Sequence, residues 1–402
     1  MSTPPLKIVV CGGGNGAHVF STLAATRANT DVSVLTIFED EAERWTKSMK
    51  DGVMVSFTAA SNQVKSRPSL VTKDPAAVIP RADVIAVVVP SYAHAPVLQA
   101  ILPFCRPNTF IVGLPAHAGF DFQFTHIFGS KAKECTLAVF ETLPWACRII
   151  EYGAHAQVLG TKERVGAALL QGENSNVPFD CIATLQQLIG DKPKLKMVQN
   201  SLVVNLMAKT MIHPPIMYGK WRNWDGKPVK QKPLFYQGMD DAQADLLTRV
   251  SDEVLLISQT VKDKCNKIVL DISPITHIQD WIKEYYGDQV KDGSSLKLSF
   301  QTNQAYNGLV HPLKDAEDGG YVPDFSYRYV REDVPFGLVV LKGIAEIVDV
   351  STPAMDTVIS WAQEKLGAEY IVGAELKGRD LSQTRAPQVF GIQTVDQLML
   401  SN

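Results

Sequence analysis

Long apolar runs, paired cysteines and a strong net charge are all missing from this sequence, and each absence narrows its class. The longest apolar stretch, VIAVVVP at Val84 to Pro90, is far too short to cross a bilayer. The six cysteines contain no CxxC pair, which argues against a disulfide framework and a zinc site and favours a reducing compartment. A net charge of −3 gives no reason to expect nucleic acid or an anionic membrane as partner. The sequence therefore predicts a cytoplasmic protein that binds small molecules and no metal.

What is present in the first half is an alternation of short apolar runs with helix-like segments, from Leu6 to about Gly160. The runs are LKIVVC, DVSVLTIF, DVIAVVVP, TFIVGLP and CTLAVFE. Continuous apolar runs of this length are typical of strands that are covered on both faces. The first run leads directly into glycines without a basic region or a cleavage-like site, so we expect a buried strand there rather than a leader. Segments such as AHVFSTLAATRA predict crossover helices, and together these elements indicate a parallel, doubly wound sheet.

The second half has the pattern of long amphipathic helices. Two of them carry start and stop signals, namely Ser273, Pro274 and Gly287 in ISPITHIQDWIKEYYG, and Thr352, Pro353 and Gly367 in STPAMDTVISWAQEKLG. The stretch GDKPKLKMVQN, with its proline and polar residues, is predicted to be the joint between the halves. We therefore expect an α/β domain over residues 1–195 and a mainly α-helical domain over residues 196–402.

The stretch CGGGNGAHVF follows the first strand and opens a helix, which is the context that a GxGxxG/A motif requires. Gly12 would allow the tight turn, Gly14 would let the backbone approach a pyrophosphate, and Ala17 would permit close packing of helix on strand. Asn15 and Gly16 complete the predicted loop. The motif predicts a Rossmann domain that binds a dinucleotide at the helix N-terminus. The alternative is a glycine-rich turn without a ligand.

The choice between NAD and NADP depends on the end of the second strand. An acidic residue that holds the adenosine ribose is expected about 20 residues after the glycines, which is near Thr36. Glu39 and Asp40 follow slightly later, and they could reach the ribose or could be solvated loop charges. No arginine stands at the strand end to receive a 2′-phosphate, although Arg44 lies a turn further on. We therefore expect NAD(H).

Hydride chemistry on a keto acid or imine needs a carboxylate clamp and a proton donor, roles that suit arginine and histidine. His213 is predicted to end a helical run, where the two prolines that follow it would fix its ring at a rigid helix end. Arg328 and Asp333 occur together in VPDFSYRYVREDVPFG. Each residue has a structural alternative. His213 could be a helix-end or core histidine, and Arg328 a surface cation. Asp333 could be an N-cap, with Pro335 in the first turn.

Several longer stretches share a family resemblance. They are GGGNGAH, VVVPSYAH, IVGLPAHAGF, FETLPWACR, IHPP, WDGKP with LFYQG, GLVHP, and PDFSYRY followed by EDVPFG. Over nearly the full chain, this set closely resembles the opine dehydrogenases of marine invertebrates. The resemblance implies a Rossmann domain, a helical domain that closes over the cleft, and a monomer. It also implies a reaction in which a 2-oxo acid, usually pyruvate, condenses with an amino acid and NADH reduces the imine.

The resemblance also implies roles for individual residues. The family's catalytic histidine falls on His213, and its acidic partner falls on Asp333. Arg328 matches the clamp for the oxo acid carboxylate, and Thr142 would assist it or line the cofactor cleft. Cys147 falls near the amino substrate, although a small buried apolar residue is an equal alternative.

Three further residues bear on the substrates. His117 stands in GLPAHAG where the octopine-forming pattern has a neutral amide, and it could still donate a hydrogen bond to pyruvate. Lys209 lies four residues before His213 and is expected on the same helix face, where it would repel arginine and attract a carboxylate or sulfonate. Trp281 could shape that pocket or simply pack in the core. We therefore expect a small amine with an acidic far end, taurine first, then alanine, glycine or β-alanine. A 2-hydroxy acid dehydrogenase and a non-catalytic NADH sensor are the alternatives.

Overall fold

A computed structural model describes residues 4–58, 62–266, 268–317 and 319–399 of the chain. Its residues group into two compact units. The first takes in the chain up to Ala116 together with Gln123–Ser201, and the second takes in His117–Phe122 together with the chain from Leu202 onward. Among the described residues, no helix is long and apolar enough to span a membrane.

The first unit is built on a mostly parallel sheet. In the described part of the chain its strands, in spatial order, are β12 (Lys194–Met197), β11 (Arg164–Gln171), β8 (Thr136–Phe140), β7 (Phe110–Gly113), β6 (Val84–Val87), β1 (Leu6–Cys11), β2 (Thr30–Leu35) and β5 (Leu70–Thr72). All neighbours pair in parallel except β8 and β11. The strands β6, β7 and β8 are buried along their whole length, which explains their continuous apolar sequences.

A second sheet in this unit consists of β4 (Asn62–Ser66), β3 (Val53–Phe57), β10 (His155–Thr161) and β9 (Trp145–Glu151). The helices of the first unit include α1 (Asn15–Ala25), α2 (Glu41–Ser48), α3 (Pro75–Val78), α4 (Ser91–Ile101) and α6 (Cys181–Ile189), and it also contains most of α5 (Phe120–Phe128), whose first three residues belong to the second unit. The core of the unit joins both sheets through apolar side chains of α1, among them Val19, Phe20 and Leu23.

The second unit is mainly helical. Its helices are α7 (Ser201–Met207), α8 (His213–Trp221), α9 (Asp241–Lys264), α10 (Ile278–Tyr286), α11 (Leu296–Gln301), α12 (Arg328–Arg331), α13 (Val339–Ile347), α14 (Pro353–Leu366) and α15 (Val395–Leu398), with a small hairpin of β13 (Leu313–Asp315) and β14 (Tyr321–Pro323). Asp240 and Gln243 form a capping box at the start of α9. The buried Glu253 carboxylate accepts the backbone N–H groups of Ala354 and Met355, which fixes the start of α14.

The predicted fold class is confirmed, and several local expectations need correction. The five predicted strands are present, and α14 runs between Thr352 and a left-handed Gly367 as expected. The start of α10 was placed too early, because the chain turns at Ser273 and the helix begins only after His277. The stretch GDKPKLKMVQN contains the strand β12. The first unit continues to Ser201, and the second resumes at Leu202.

Candidate active site

The glycine loop joins β1 to α1 and has the backbone that a pyrophosphate requires. Gly12 has a left-handed φ of +136°, and a Cβ there would lie 2.4 Å from the Val88 carbonyl oxygen, so only glycine fits. Gly14 is the N-cap of α1, and a Cβ at this position would meet no atom within 4 Å. The amides of a first helical turn lack intrahelical acceptors and favour an anion. The loop thus leaves room for a phosphate where the helix terminus attracts one.

The next residues of the loop hold it in place. The Asn15 side-chain oxygen accepts the Ile149 N–H at 2.9 Å, which ties the loop to β9. A Cβ on Gly16 would lie 3.0 Å from a Leu143 methyl carbon, and Ala17 is fully buried. Asn15, Gly16 and Ala17 therefore pack the helix against the unit so closely that a larger side chain would push α1 away.

The acidic residue beside the glycine loop is Glu41, which the sequence analysis missed. Its carboxylate accepts the Thr36 hydroxyl, and a Cβ on Gly13 would lie 2.2 Å from its Oε2 atom. Thr36 is buried at the end of β2, but Glu39 is exposed in a left-handed conformation (φ +37°). The turn at Glu39 folds the chain back, so a carboxylate five residues beyond Thr36 reaches the loop. Spacing alone could not reveal this fold-back.

His18 connects the glycine loop to Gly153 through its two ring nitrogens. Its Nε2 accepts the Gly153 N–H at 2.9 Å, so the ring hydrogen is on Nδ1, which donates to the Gly14 carbonyl at 3.0 Å. The ring stacks on Trp45 with centroids 3.7 Å apart. Burial lowers the pKa of His18 to about 4, with the Gly14 hydrogen bond opposing this shift. The imidazole is therefore neutral at physiological pH and works as a fixed bridge.

In the second unit, His213 and Asp333 are in direct contact, although they lie far apart in the sequence. Nδ1 of His213 contacts a carboxylate oxygen of Asp333, and Nε2 lies 2.7 Å from the Tyr236 hydroxyl. The imidazole stacks on Tyr329 at 3.9 Å with an interplanar angle of 9°, which fixes its plane. Its side chain is 14% exposed, so the ring stays accessible to a small molecule. This arrangement can hold a proton on one ring nitrogen while the other exchanges one.

The local structure around His213 differs from expectation. His213 begins α8 rather than ending a helix, because Pro214 and Pro215 lie in the first turn, where a missing N–H costs nothing. Lys209 lies in a separate 3₁₀ turn, Lys209–Met211, so it does not share a helix face with His213. The ring is held rigidly, because it stacks on Tyr329 and contacts Asp333.

Asp333 directs its side chain to the histidine and not to a helix terminus. It precedes a widened π-type turn, Val334–Leu338, but makes no side-chain cap hydrogen bond. Burial raises the pKa of Asp333, Glu332 raises it further, and His117 and Arg328 oppose the rise. A carboxylate with a raised pKa is a strong acceptor for the imidazole N–H. The N-cap alternative is therefore excluded.

Arg328, which is cationic, and His117, which is polar, both interact with the carboxylates of Glu332 and Asp333. Burial lowers the pKa of Arg328, but Tyr329 and Glu332 outweigh it, so the pKa is raised and the guanidinium stays charged. The guanidinium lies 5.2 Å from the Tyr329 ring centroid. Nε2 of His117 lies 3.5 Å from Glu332, and burial lowers its pKa. Within the described residues, Nδ1 of His117 is buried without a hydrogen-bond partner.

Lys209 is a buried cation beside an aromatic wall. It is 7% exposed, and its Nζ lies 5.4 Å from the Trp281 ring centroid. Trp281 is buried and stacks on Tyr285 at 4.8 Å. The alternative of a solvated lysine on an outer face is excluded, because a lysine at this depth is held by its surroundings.

Thr142 and Cys147 belong to the first unit. Thr142 lies half-buried between β8 and β9, and Cys147 lies on β9 at 3% exposure within the hydrophobic core. The core position of Cys147 favours the packing alternative over substrate binding. Nowhere in the described ranges do histidine, cysteine and carboxylate side chains cluster in a way that could hold a metal ion.

Comparison with known proteins gives consistent matches along the chain. A family model described as NAD/NADP octopine/nopaline dehydrogenase, alpha-helical domain, matches residues 197–366. An opine dehydrogenase of Haliotis discus hannai is 46% identical over 405 residues, which cover 99% of this chain and 99% of the relative. A tauropine dehydrogenase of Arabella iricolor is 42% identical over 397 residues, with coverages of 98% and 99%. The solved structure of octopine dehydrogenase in complex with NADH and agmatine matches with a TM-score of 0.90 at 44% identity, over 98% of each chain.

Proposed function

Because this chain belongs to the opine dehydrogenase family of NAD-dependent oxidoreductases, we propose that it condenses a 2-oxo acid, pyruvate first, with the amine of a small amino acid and reduces the imine to an opine. The condensation loses water, and the reduction adds a hydride and a proton. The observation that carries the proposal is the contact of His213 with Asp333 in a cluster that also contains the charged Arg328. A protein that only sensed the cofactor would have no use for this buried proton-exchange pair.

The first unit would hold the cofactor, and NADH supplies the hydride when bound. The backbone at Gly12 and Gly14 would receive the pyrophosphate at the start of α1. The Glu41 carboxylate would accept hydrogen bonds from the ribose hydroxyls. It would disfavour the 2′-phosphate of NADPH, because the two negative groups would repel each other at the loop. This chain's own loop thus accounts for a preference for NADH.

His213 would move the proton, and Asp333 would hold its ring in place. With Nδ1 engaged by Asp333, the Nε2 atom is the position that exchanges a proton with the substrate. With Nδ1 directed at Asp333, Nε2 accepts the Tyr236 hydroxyl hydrogen at 2.7 Å, so a substrate atom that exchanges a proton with Nε2 would have to replace this hydroxyl. Burial raises the pKa of Tyr236, so its hydroxyl remains a donor.

The 2-oxo acid would be held through its carboxylate. Arg328 offers a charged planar fork that suits a carboxylate in a two-point contact. Nε2 of His117 faces the Glu332 carboxylate and would carry the hydrogen of the neutral ring, so the buried Nδ1 would accept a hydrogen bond in that form and donate one to the oxo acid when the ring is protonated. Thr142 would assist the clamp, as the family resemblance implies.

The amine substrate is proposed to be small with an anionic far end, and taurine is the first candidate. Lys209 places a positive charge against Trp281 in a nearly dry setting, where a sulfonate or carboxylate is stabilised and a second cation such as arginine is not. One charge-assisted contact contributes about 1.5–3 kcal/mol, or roughly 10- to 150-fold in affinity.

A panel of amines tests this choice. NADH consumption is measured with pyruvate alone and with pyruvate plus taurine, β-alanine, alanine, glycine or L-arginine. We expect turnover only with an amine present and the lowest KM for taurine or β-alanine. In Lys209→Met, the KM for these amines should rise at least about tenfold. Lys365→Met is the matched control, since Lys365 also lies over an aromatic ring, that of Phe325 at 5.9 Å, but at the surface.

Two outcomes decide between the alternatives. A marked preference of the unaltered enzyme for L-arginine would refute the anionic amine. Equal turnover of pyruvate with and without amines would instead indicate a hydroxy acid dehydrogenase.

The enzyme is further proposed to work as a monomer in the cytoplasm. All six cysteines are free thiols, and four of them are buried, which suits a reducing compartment. The family resemblance favours the monomer. Size-exclusion chromatography with light scattering on the active enzyme tests this, and a stable dimer would contradict it.

A further inference from the structure

Arg385 is among the largest fully buried side chains of the protein, and it comes from the C-terminal segment. It lies after α14, beyond residues 197–366 that the helical-domain family model matches. Burying a guanidinium is costly unless nearby groups compensate its charge and its N–H groups. A fully buried arginine near the end of the chain therefore calls for a specific partner.

Arg385 contacts the widened turn that follows Asp333. Across this turn the Val339 N–H bonds to the Val334 carbonyl, so it no longer serves the Pro335 carbonyl as a regular helix would require. The backbone N–H of Arg385 donates to that Pro335 carbonyl at 3.4 Å. Its Nη2 donates to the Phe336 carbonyl at 3.4 Å, and the guanidinium lies 5.3 Å from the Phe336 ring centroid. Arg385 thus contacts backbone groups that the widened turn exposes.

The same guanidinium lies among buried carboxylates. Burial lowers the pKa of Arg385 to about 9, while Glu332 and Asp121 oppose the shift, so the group remains charged near neutral pH. Glu332 is the residue before Asp333 and also lies 3.5 Å from His117. The titratable and charged groups of this cluster, taken over all the elements that pack around it, are His117, Asp121, His213, Tyr236, Arg328, Tyr329, Glu332, Asp333 and Arg385.

We propose that Arg385 is a positioning residue for the proton relay: it holds the widened turn that carries Asp333 and balances the buried charge of Glu332 beside it. The inference rests on the proposed function, because it assumes that His213 and Asp333 carry the proton. Without the cation, the electrostatic potential at the pair becomes more negative, and protonated forms are favoured. His213 then loses its proton only at higher pH.

The test is the pH profile of opine oxidation, which requires unprotonated His213 and so shows an acid limb in kcat/KM. In Arg385→Met the limb moves to higher pH. At a fixed pH on the acid limb, kcat/KM as a fraction of its plateau value is then about tenfold lower than in the unaltered enzyme. Arg385→Lys retains the charge and restores the position of the limb. Glu332→Gln moves the limb to lower pH, and the double variant Arg385→Met with Glu332→Gln returns it toward that of the unaltered enzyme.

Lys342→Met is the matched control. Lys342 is also a buried cation of the second unit, paired with Asp356 at 3.1 Å and Glu346 at 3.7 Å, so its loss lowers stability without moving the limb. A purely structural Arg385 would give the same result as Lys342, and this outcome would overturn the inference. If Arg385→Met does not fold, the pH profile of Glu332→Gln tests the inference instead. An acid limb that does not move in Glu332→Gln would also overturn it. An unaltered enzyme without opine activity would refute the proposed function instead.

Discussion

Glu41→Gln should convert cofactor preference, and the structure allows its size to be worked out. The substitution keeps the shape and removes the charge beside Gly13, where the carboxylate touches the loop. Weakening the charge-assisted contacts to the ribose costs about 1.5 kcal/mol, or roughly tenfold in the KM for NADH. A phosphate charge about 4 Å from a carboxylate is repelled by roughly 4 kcal/mol at an effective dielectric constant of about 20. Its relief should improve NADPH use by a larger factor, about 10²- to 10³-fold.

The assay is the KM for NADH and for NADPH in the reductive direction, at saturating pyruvate and amine. Glu43→Gln is the control, because Glu43 lies on the same helix with its side chain 61% exposed. Arg44, which lies 4.5 Å over the Tyr152 ring and bonds to Asp40, is available to receive a 2′-phosphate once Glu41 is neutral. If the Glu41 and Glu43 variants have the same ratio of the two KM values, Glu41 does not contact the ribose.

Two further outcomes concern His213 and His18. Asp333→Asn should lower kcat by about 10²- to 10⁴-fold, while NADH binding, measured by fluorescence titration, should not change. The control is Asp324→Asn, which removes a carboxylate paired with Lys314 and should retain turnover. Equal losses of kcat in the two variants would refute the role of Asp333 in proton transfer. Because the pKa of His18 falls from 6.5 to about 4 on folding, the unfolded chain binds its proton first as pH falls through this window, and stability declines. Between about pH 7 and about pH 5 this costs about 2 kcal/mol, which denaturant titration should register in the native protein and not in His18→Gln.

The broad architecture followed from the sequence because its signals are local. Apolar runs such as Val84–Val87 are short, continuous and bounded by turn residues, and these properties need no tertiary information. The family that the longer stretches predicted is confirmed by the relatives. The sheet of β3, β4, β9 and β10 was missed because its strands are less apolar, and because its two hairpins, β3–β4 and β9–β10, are joined by the pairing of β3 with β10, which lie far apart in the sequence.

The site was only partly predictable, because its geometry depends on folding. His213 and Asp333 were identified through resemblance, and only the fold brings them into contact. Glu39 and Asp40 were considered and Glu41 was not, because a fixed spacing cannot anticipate a left-handed residue that reverses the chain. Arg385 gave no signal at all: a single arginine near the C-terminus resembles any solvated cation until its burial is known.

The placement of His117–Phe122 in the second unit has a consequence for synthesis on the ribosome. This hexapeptide emerges early, yet its neighbours emerge late: the Gly119 N–H bonds to Asn205, and a Cβ on Gly119 would lie 2.9 Å from the carbonyl oxygen of Arg385. Gly119 therefore lacks these contacts until both later segments have been synthesised. A nascent chain arrested after residue 201 would lack both contacts, and a chain extended beyond residue 385 could form them.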